Sequence, residues 1–388
     1  MNHTRASSHG ARETDPTSRP DVALLVLKSP PYGPEQGDAP PGALPYRIDL
    51  LRSSGFALRW TDRHLGARFT NGRLGRAIAR SEAVAAPWLQ TVLTRRARRD
   101  SAATLAMFES EGHALALLRR LSPRRRRAPL VIIACWLADI ARTAEPRRLR
   151  LYRFIYGGVD RVVVFSTNQR TTLCELVGID RDRIAVVEFG IDLDEIAGVE
   201  TSETGTIVAA GRDQGRDWPT LVAAVAGSGW TVDLVTRLRQ VADLELPPEV
   251  VLHGYVERPD YLAMMARSSV VVIPTDVREY PTGQTVLLEA MAMGKACVVT
   301  DTPAMSDYVV HDETALLVPP GDAVALRAAI ETLLGDDARR TAIGAAARRA
   351  SLDGGGAAAM WDRIGTIVHD EIDRSRHHDE NMRTSHRS

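Results

Sequence analysis

Residues 283 to 301, Gly-Gln-Thr-Val-Leu-Leu-Glu-Ala-Met-Ala-Met-Gly-Lys-Ala-Cys-Val-Val-Thr-Asp, leave few folds open. A loop glycine opens a short helix, Gly294 ends it, and an apolar run that suits a buried strand follows at once. This is the αβ unit of a sheet covered by helices. A helix start also presents N–H groups without intrahelical partners and positive dipole, so Gly283, Thr285 and Val286 mark a ready anion site. Glu289 lies one to two turns further in, where a carboxylate can accept hydrogen bonds from sugar hydroxyls of the same ligand. The combination suggests a nucleotide-sugar site. The same string also fits a plain αβ unit with Glu289 solvated, so the neighbouring segments have to decide.

They repeat the αβ alternation. Ile207-Val-Ala-Ala-Gly211 is a strand running into a loop with two arginines four apart, Arg212 and Arg216, and Val250–Tyr255 and Val270–Pro274 read as two more strands. Downstream, Thr314–Asp322 gives a short strand, a proline stop and a helix N-cap, followed by Leu326, Ile330, Leu333 and Leu334 at helical spacing. In the first half, Val22–Leu27, Thr104–Phe108, Leu130–Ala134, Arg161–Phe165 and Ile184–Glu188 are apolar runs suited to a buried parallel sheet. Two of them end in polar residues where open α/β sheets place their chemistry, at Glu109–His113 and at Cys135–Asp139.

The chain has 388 residues, long for one hydrophobic core and comfortable for two. The expected layout is a disordered tail 1–20, a first Rossmann-like domain 21–198, a linker near 196–204, a second Rossmann-like domain 205–355, a helix 357–374 returning to the first domain, and a disordered tail 375–388. The 49 basic and 49 acidic side chains cancel, so no global field points to nucleic acid. Locally, Arg95, Arg96, Arg98, Arg99, Arg119, Arg120 and Arg124–Arg127 concentrate charge between 95 and 127. That stretch reads either as a solvated arginine-rich face or as a surface for an anionic acceptor or an anionic membrane. Cys135, Cys174 and Cys297 lack metal-ligand spacing and read as free thiols of a reducing compartment. The polar residues 1–20 hold no signal peptide, and no apolar run reaches the length of about eighteen residues that a membrane span needs. A cytoplasmic protein is expected, with peripheral membrane contact through 95–127 as its one route to a bilayer.

Taken in order, Phe189-Gly-Ile-Asp192, Gly211-Arg212, His253-Gly-Tyr-Val256, Leu288-Glu-Ala-Met-Ala-Met-Gly294 and Leu317-Val-Pro-Pro-Gly-Asp322 resemble the retaining glycosyltransferases of family 4, the glycosyl transferases group 1. The resemblance covers about residues 160 to 350. It implies the GT-B fold, two Rossmann-like domains facing each other across a cleft, with an acceptor-side first domain and a donor-binding second one. It implies Arg212 and Arg216 on the donor diphosphate, Glu289 on the ribose and Tyr255 and Val256 near the base. It places the loop after the first strand near the diphosphate, commonly through paired glycines. No such pair stands between Ser29 and Gly42, which leaves Gly42 as the candidate there.

Two departures matter. The family's earlier glutamate, eight positions before Glu289, is replaced by Pro281, and Glu279, two residues away, is the candidate acid whose carboxylate a bent loop could bring to the donor sugar instead. Proline supplies neither carboxylate nor N–H. The second cation of the phosphate pair is Arg216 where the family has lysine, a change that keeps the charge and adds a planar fork.

His113, after a first-domain strand, is the candidate histidine beside the donor sugar, with a surface helix-start role as the alternative. Asp180/Asp182 and Asp192/Asp194 match a bare aspartate-x-aspartate metal string, but fit solvated turn carboxylates and the Phe-Gly-Ile-Asp element better. No cofactor or metal is expected, since arginines and helix N–H groups can neutralise the diphosphate. The function that follows is metal-independent, retaining transfer of a hexose-type sugar from a nucleoside-diphosphate sugar to an unidentified acceptor hydroxyl. The alternatives are a degenerate nucleotide-sugar-binding protein without transfer and a nucleotide-sugar epimerase of the same fold.

Overall fold

The computed structural model describes residues 22–27, 45–60, 91–92, 94–122 and 128–385. The candidate Gly42 and the tail 1–20 lie outside them.

Two six-stranded, all-parallel sheets carry the chain. The first consists of β1 (Val22–Leu27), β2 (Phe56–Trp60), β3 (Ala103–Ala106), β4 (Leu130–Ile133), β5 (Arg161–Val164) and β6 (Ile184–Val186), in the order β2-β1-β3-β4-β5-β6. The second consists of β7 (Ile207–Ala210), β8 (Val232–Val235), β9 (Val250–Leu252), β10 (Val270–Ile273), β11 (Ala296–Thr300) and β12 (Leu316–Val318), in the order β12-β11-β10-β7-β8-β9. In β3, β4, β7, β8, β10 and β11 every residue is buried, as helices on both faces require. The strand order reverses between β7 and β10, and between β1 and β3. At such points the loops leaving the carboxyl ends diverge and open a crevice. The functional loops after β7 and β10 flank the reversal in the second sheet.

The strand β2 was not visible in the sequence. Phe-Ala-Leu-Arg-Trp alternates weakly, and it forms because Phe56 plugs into the core beside Ile48 and Leu51 while the backbone pairs with β1. Before β2, Pro45–Arg52 forms a 3-10 stretch in which Tyr46 and Arg47 have φ of 56° and 55°. Left-handed backbone at two side-chain-bearing residues costs about 1–3 kcal/mol each. It is held by Trp361, whose indole N–H donates to the Tyr46 carbonyl, and by the Arg47–Asp192 ion pair.

The connection between the sheets opens with a short helix. Leu193–Ala197 is a helix N-capped by Asp192, and Ile191 and Ile196 are buried in the core under the second sheet. Beyond it, Ser202 and Thr204 donate backbone N–H groups to the carbonyls of Ala266 and Arg267, and the buried Lys295 ammonium donates to the carbonyls of Ser202 and Ser268.

The last helix, Gly356–Ser385, crosses back to the first sheet and packs Trp361, Ile364, Val368 and Ile372 at helical spacing into that core. Gly190 permits the crossing, because a Cβ there would sit 2.1 Å from the Gly356 carbonyl oxygen. The helix runs eleven residues beyond the expected end at 374, into the segment expected to be disordered. Glu371 binds both Arg161 and Arg374, and Arg376 pairs with Asp373, so side-chain pairs tie the start of that extension to the packed turn before it. Among the described residues no helix is long and apolar enough to cross a membrane.

Candidate active site

A cavity of about 480 Å³ opens between the carboxyl ends of the two sheets. Its second-domain wall gathers Arg212, Arg216, Tyr255, Val256, Gly283, Thr285, Val286 and Glu289 from three separate stretches of chain.

The loop after β7 turns at Gly211, where an added Cβ would meet the Arg216 Nε at 2.3 Å, so the guanidinium lies flat on bare backbone. The Arg216 side chain is 3% exposed; its Nε donates to Asp213 Oδ1 at 2.8 Å, and its Nη1 is buried without a partner. A buried guanidinium nitrogen left without an acceptor costs several kcal/mol in an apolar medium, on the order of 2–7, which makes the position costly unless an anion completes it. Gly283 supplies the other side. Its φ is 88°, which disfavours any side chain, and a Cβ would stand 2.5 Å from Ile273 Cγ2 and 3.0 Å from Arg216 Nη1. The helix that begins here, Gln284–Ala292, makes its first full-turn bond from Leu287 N–H to Gly283, and the N–H groups of Thr285 and Val286 before it are the ordinary open donors of a helix start. Arg212 is exposed and lies over the Tyr255 ring, its Cζ 5.7 Å from the centroid. Tyr255 follows Gly254, which has φ of 64°, and the preceding His253 is pinned by Asp233 at 2.7 Å.

Glu289 is 1% exposed. Its Oε1 accepts from Arg258 Nη1 at 2.6 Å and its Oε2 from the Tyr261 hydroxyl at 2.8 Å. Burial pushes its pKa up, against the opposing pull of Arg258. Arg258 reaches Glu195 as well, at 2.7 Å. Each carboxylate oxygen keeps a further lone pair, so the group is aimed and still able to accept from a ligand hydroxyl. Arg258 and Tyr261 carry no spacing that the sequence could have revealed.

The structure sets two candidates elsewhere. His113 does not line the cavity. It sits in the helix Glu109–Leu121 with Nε2 3.0 Å from the Tyr156 hydroxyl, its ring beside Tyr152, and burial lowers its pKa to about 4. It is a neutral packing histidine, because its helix turns that face toward the helix Pro146–Tyr156 rather than the cleft. Glu279 also points away. Its Oε1 takes Arg142 Nε at 2.7 Å, and its Oε2 takes the Thr172 hydroxyl at 2.6 Å and Asn168 Nδ2 at 3.2 Å. All three partners belong to the first domain. The backbone N–H groups of Glu279 and Tyr280 donate to Asp139 at 3.0 and 3.1 Å, which rotates the acid outward and leaves Tyr280 and Pro281 on the cavity wall.

The first-domain wall is different in kind. Tyr46, Phe108, Trp136 and Phe189 stand on it, backed by Met107 and Ile133. The turn that carries Trp136 is set by Glu109, whose two carboxylate oxygens accept the N–H groups of Cys135 at 3.0 Å and Trp136 at 2.9 Å. Burial raises the Glu109 pKa to about 7 despite those bonds.

The aspartate pairs lie apart from the cavity. Asp180 and Asp182 are exposed around a 3-10 turn, and Asp192 caps its helix by accepting from Asp194 N–H at 3.3 Å. Among the described residues no three His, Cys, Asp or Glu side chains converge as metal ligands do. Cys135 and Cys297 are buried free thiols, and Cys174 is half-buried.

Comparison with known proteins agrees with this architecture. Residues 207–336 match the family described as Glycosyl transferases group 1. A D-inositol 3-phosphate glycosyltransferase of Pseudarthrobacter chlorophenolicus is 28% identical over 272 residues, 61% of this chain and 62% of the relative. Its counterpart in Xylanimonas cellulosilytica is 30% identical over 241 residues, 54% of this chain and 57% of the relative. The chain thus spans less than two thirds of either. Among solved structures, Anabaena Alr3699/HepE in complex with UDP and glucose superposes with a TM-score of 0.65 at 16% identity, covering 90% of this chain and 100% of that one. The fold is GT-B.

Proposed function

From a second domain of the Glycosyl transferases group 1 family seated in a GT-B fold, we propose that the protein is a glycosyltransferase. It moves a sugar from a nucleoside-diphosphate sugar to an acceptor hydroxyl, with retention of anomeric configuration and without a metal ion. The observation that carries this reading is the buried, partnerless Nη1 of Arg216 beside Gly283 and the helix start. Three kinds of positive group, the Arg216 fork, the exposed Arg212 and the open N–H groups of Thr285 and Val286, meet where a diphosphate would lie. Negative charge grows on the leaving phosphate as the glycosidic bond breaks, and fixed donors aimed there stabilise the transition state. Glu289 then takes ribose hydroxyls, and Tyr255 and Val256 flank the base.

In the transfer step the bond between the anomeric carbon and the phosphate oxygen breaks, and the acceptor oxygen bonds to that carbon. The acceptor proton passes to the departing phosphate oxygen, so nucleoside diphosphate leaves and no side-chain nucleophile is needed. The UDP-bound structural neighbour makes uridine diphosphate the first ligand to try.

Calorimetric titration of the full chain with UDP, with and without chelator, tests the reading. Binding that survives the chelator and falls at least about a hundredfold in Arg216→Ala, consistent with a lost charge-assisted pair of a few kcal/mol, is the expected result. Binding abolished by chelator would reject the metal-free mechanism. One observation favours a second reading: Glu279 is committed to Arg142, Thr172 and Asn168, so the acid nearest Pro281 does not face the sugar. Donor that binds but is neither transferred nor hydrolysed would make the protein a nucleotide-sugar binder.

A further inference from the structure

We propose that the first-domain wall of the cavity takes an acceptor whose hydroxyl is carried on an uncharged, flat, apolar ring. This rests on the reading of the second-domain wall as the donor side. The wall is a chain of aromatic contacts. Trp136 stacks on Phe108 with centroids 5.3 Å apart and planes at 29°, and meets the edge of Tyr280 at 6.3 Å. Tyr46 closes the other end, edge-on to Phe108 at 6.4 Å and to Phe189 at 5.9 Å. Trp136 remains 42% exposed and Tyr46 50% exposed, although both stand in a cleft rather than on an outer surface. Large aromatic faces left to water inside a cleft are poised to gain from covering.

Charge sorts the acceptor further. Among the described residues that line the cavity, every cation, Arg212, Arg216 and Arg258, belongs to the second domain. Among the described residues, an acceptor phosphate on the first wall would be stripped of water with no cation beside it. A pyranose could lay only its C–H face on the rings and would keep its ring-edge hydroxyls beside apolar neighbours such as Met107 and Ile133. A flat apolar ring loses nothing there and stacks. The platform is also built to hold its shape: the Glu109 carboxylate takes the N–H groups of Cys135 and Trp136, and Gln169 Nε2 donates to the Cys135 carbonyl at 2.7 Å. A buried carboxylate used to fix one exposed tryptophan is the mark of a surface whose orientation matters.

Three probes, 2-naphthol, methyl α-glucopyranoside and myo-inositol 1-phosphate, titrated calorimetrically into the full chain with and without saturating UDP, decide the matter. The naphthol should bind at least about tenfold more tightly than the other two. Trp136→Ala should cost that binding about tenfold, a loss of about 1.4 kcal/mol. Trp136→Phe should restore most of it, and UDP affinity should move by less than about twofold in both variants. Preference for the inositol phosphate or the glucoside, or naphthol binding indifferent to Trp136→Ala in a protein with native circular dichroism, would overturn the proposal. Naphthol binding that depends on Trp136 in a chain that fails to bind UDP would uphold the wall and reject the donor reading instead.

Discussion

The two walls of the cleft solve opposite problems. The second-domain wall spends glycine and arginine: backbone is bared at Gly211 and Gly283 so that the Arg216 guanidinium can lie against it with one nitrogen still open. The first-domain wall holds no cation among its described residues and builds a face from Tyr46, Phe108, Trp136 and Phe189. The first arrangement is costly without an anion; the second needs only to be covered. One wall therefore discriminates by charge and geometry, and the other by shape.

The contrast breaks most readily at Gly283. Gly283→Ala places a Cβ 2.5 Å from Ile273 Cγ2 at a φ of 88° and presses on Arg216 Nη1. UDP affinity should fall by about a hundredfold or more, matching the few kcal/mol that backbone strain and a displaced charged donor carry together. Calorimetry on folded variant reads it, and near-native affinity would mean that the phosphates lie elsewhere.

The next effect belongs to the other wall. In Glu109→Gln the amide has one acceptor oxygen for two N–H groups, so Cys135 or Trp136 loses its partner. A stability loss of about 1–3 kcal/mol in urea unfolding is expected, with UDP affinity unchanged. Its pH dependence has a definite sign. The Glu109 pKa is raised to about 7, so the stability it contributes is fully present below its unfolded value near 4.5 and is lost as pH rises through 7. His113, lowered to about 4, acts in reverse: its contribution is present above about 6.5 and is lost as pH falls toward 4. Between pH 4.5 and 6.5 the two slopes oppose in the wild type. Glu109→Gln should unmask the histidine, giving a variant whose unfolding midpoint climbs more steeply with pH than the parent's. Parallel profiles would place the proton elsewhere.

A smaller effect is expected at Glu289. Glu289→Gln keeps Arg258 bound to Glu195 and removes only the inner charge, so affinity for uridine and for UDP should drop together, by about tenfold. A loss confined to UDP would move this residue from the ribose to the phosphates. Smallest of all is Arg142→Ala. Its side chain is 58% exposed, which screens the pair, and Thr172 and Asn168 still hold the mostly buried Glu279, so stability should fall by no more than about 1 kcal/mol and UDP affinity should hardly change. A large loss would make the Arg142–Glu279 contact central to the fold.

How much of this could be read in advance follows the same division. The second wall was legible because each task there admits few residue types: a left-handed turn asks for Gly283, close approach for Gly211, anchored positive charge for Arg212 and Arg216. The motifs fall in one order along one domain. The first wall was not legible. Residues 46, 108, 136, 189 and 280 share no period, and only tertiary packing brings their rings together. Where sequence reasoning reached into that domain it chose His113 for its place at a strand end, without knowing which face of the helix meets the cleft. Glu279 was chosen for its nearness to Pro281, and what turned it away is Asp139, 140 residues distant in the chain. The length of the last helix was hidden for a related reason: the tail 375–388 carries no apolar stripe of its own and continues a helix whose packing into the first core ends at Ile372.

The grip of Asp139 on the backbone of Glu279 and Tyr280 has a thermodynamic consequence. The loop that sets Tyr280 and Pro281 on the cavity wall springs from the second sheet, yet two of its N–H groups and its Glu279 carboxylate are bonded to the first domain. A rotation that opened the cleft would have to break those bonds or drag the loop out of shape. Cavity shape and domain closure are thereby one equilibrium. The apparent dissociation constant for donor equals the intrinsic one divided by the fraction of molecules in which the loop is docked. Substitutions at Asp139, which does not itself line the cavity, would register as weaker donor binding through that fraction.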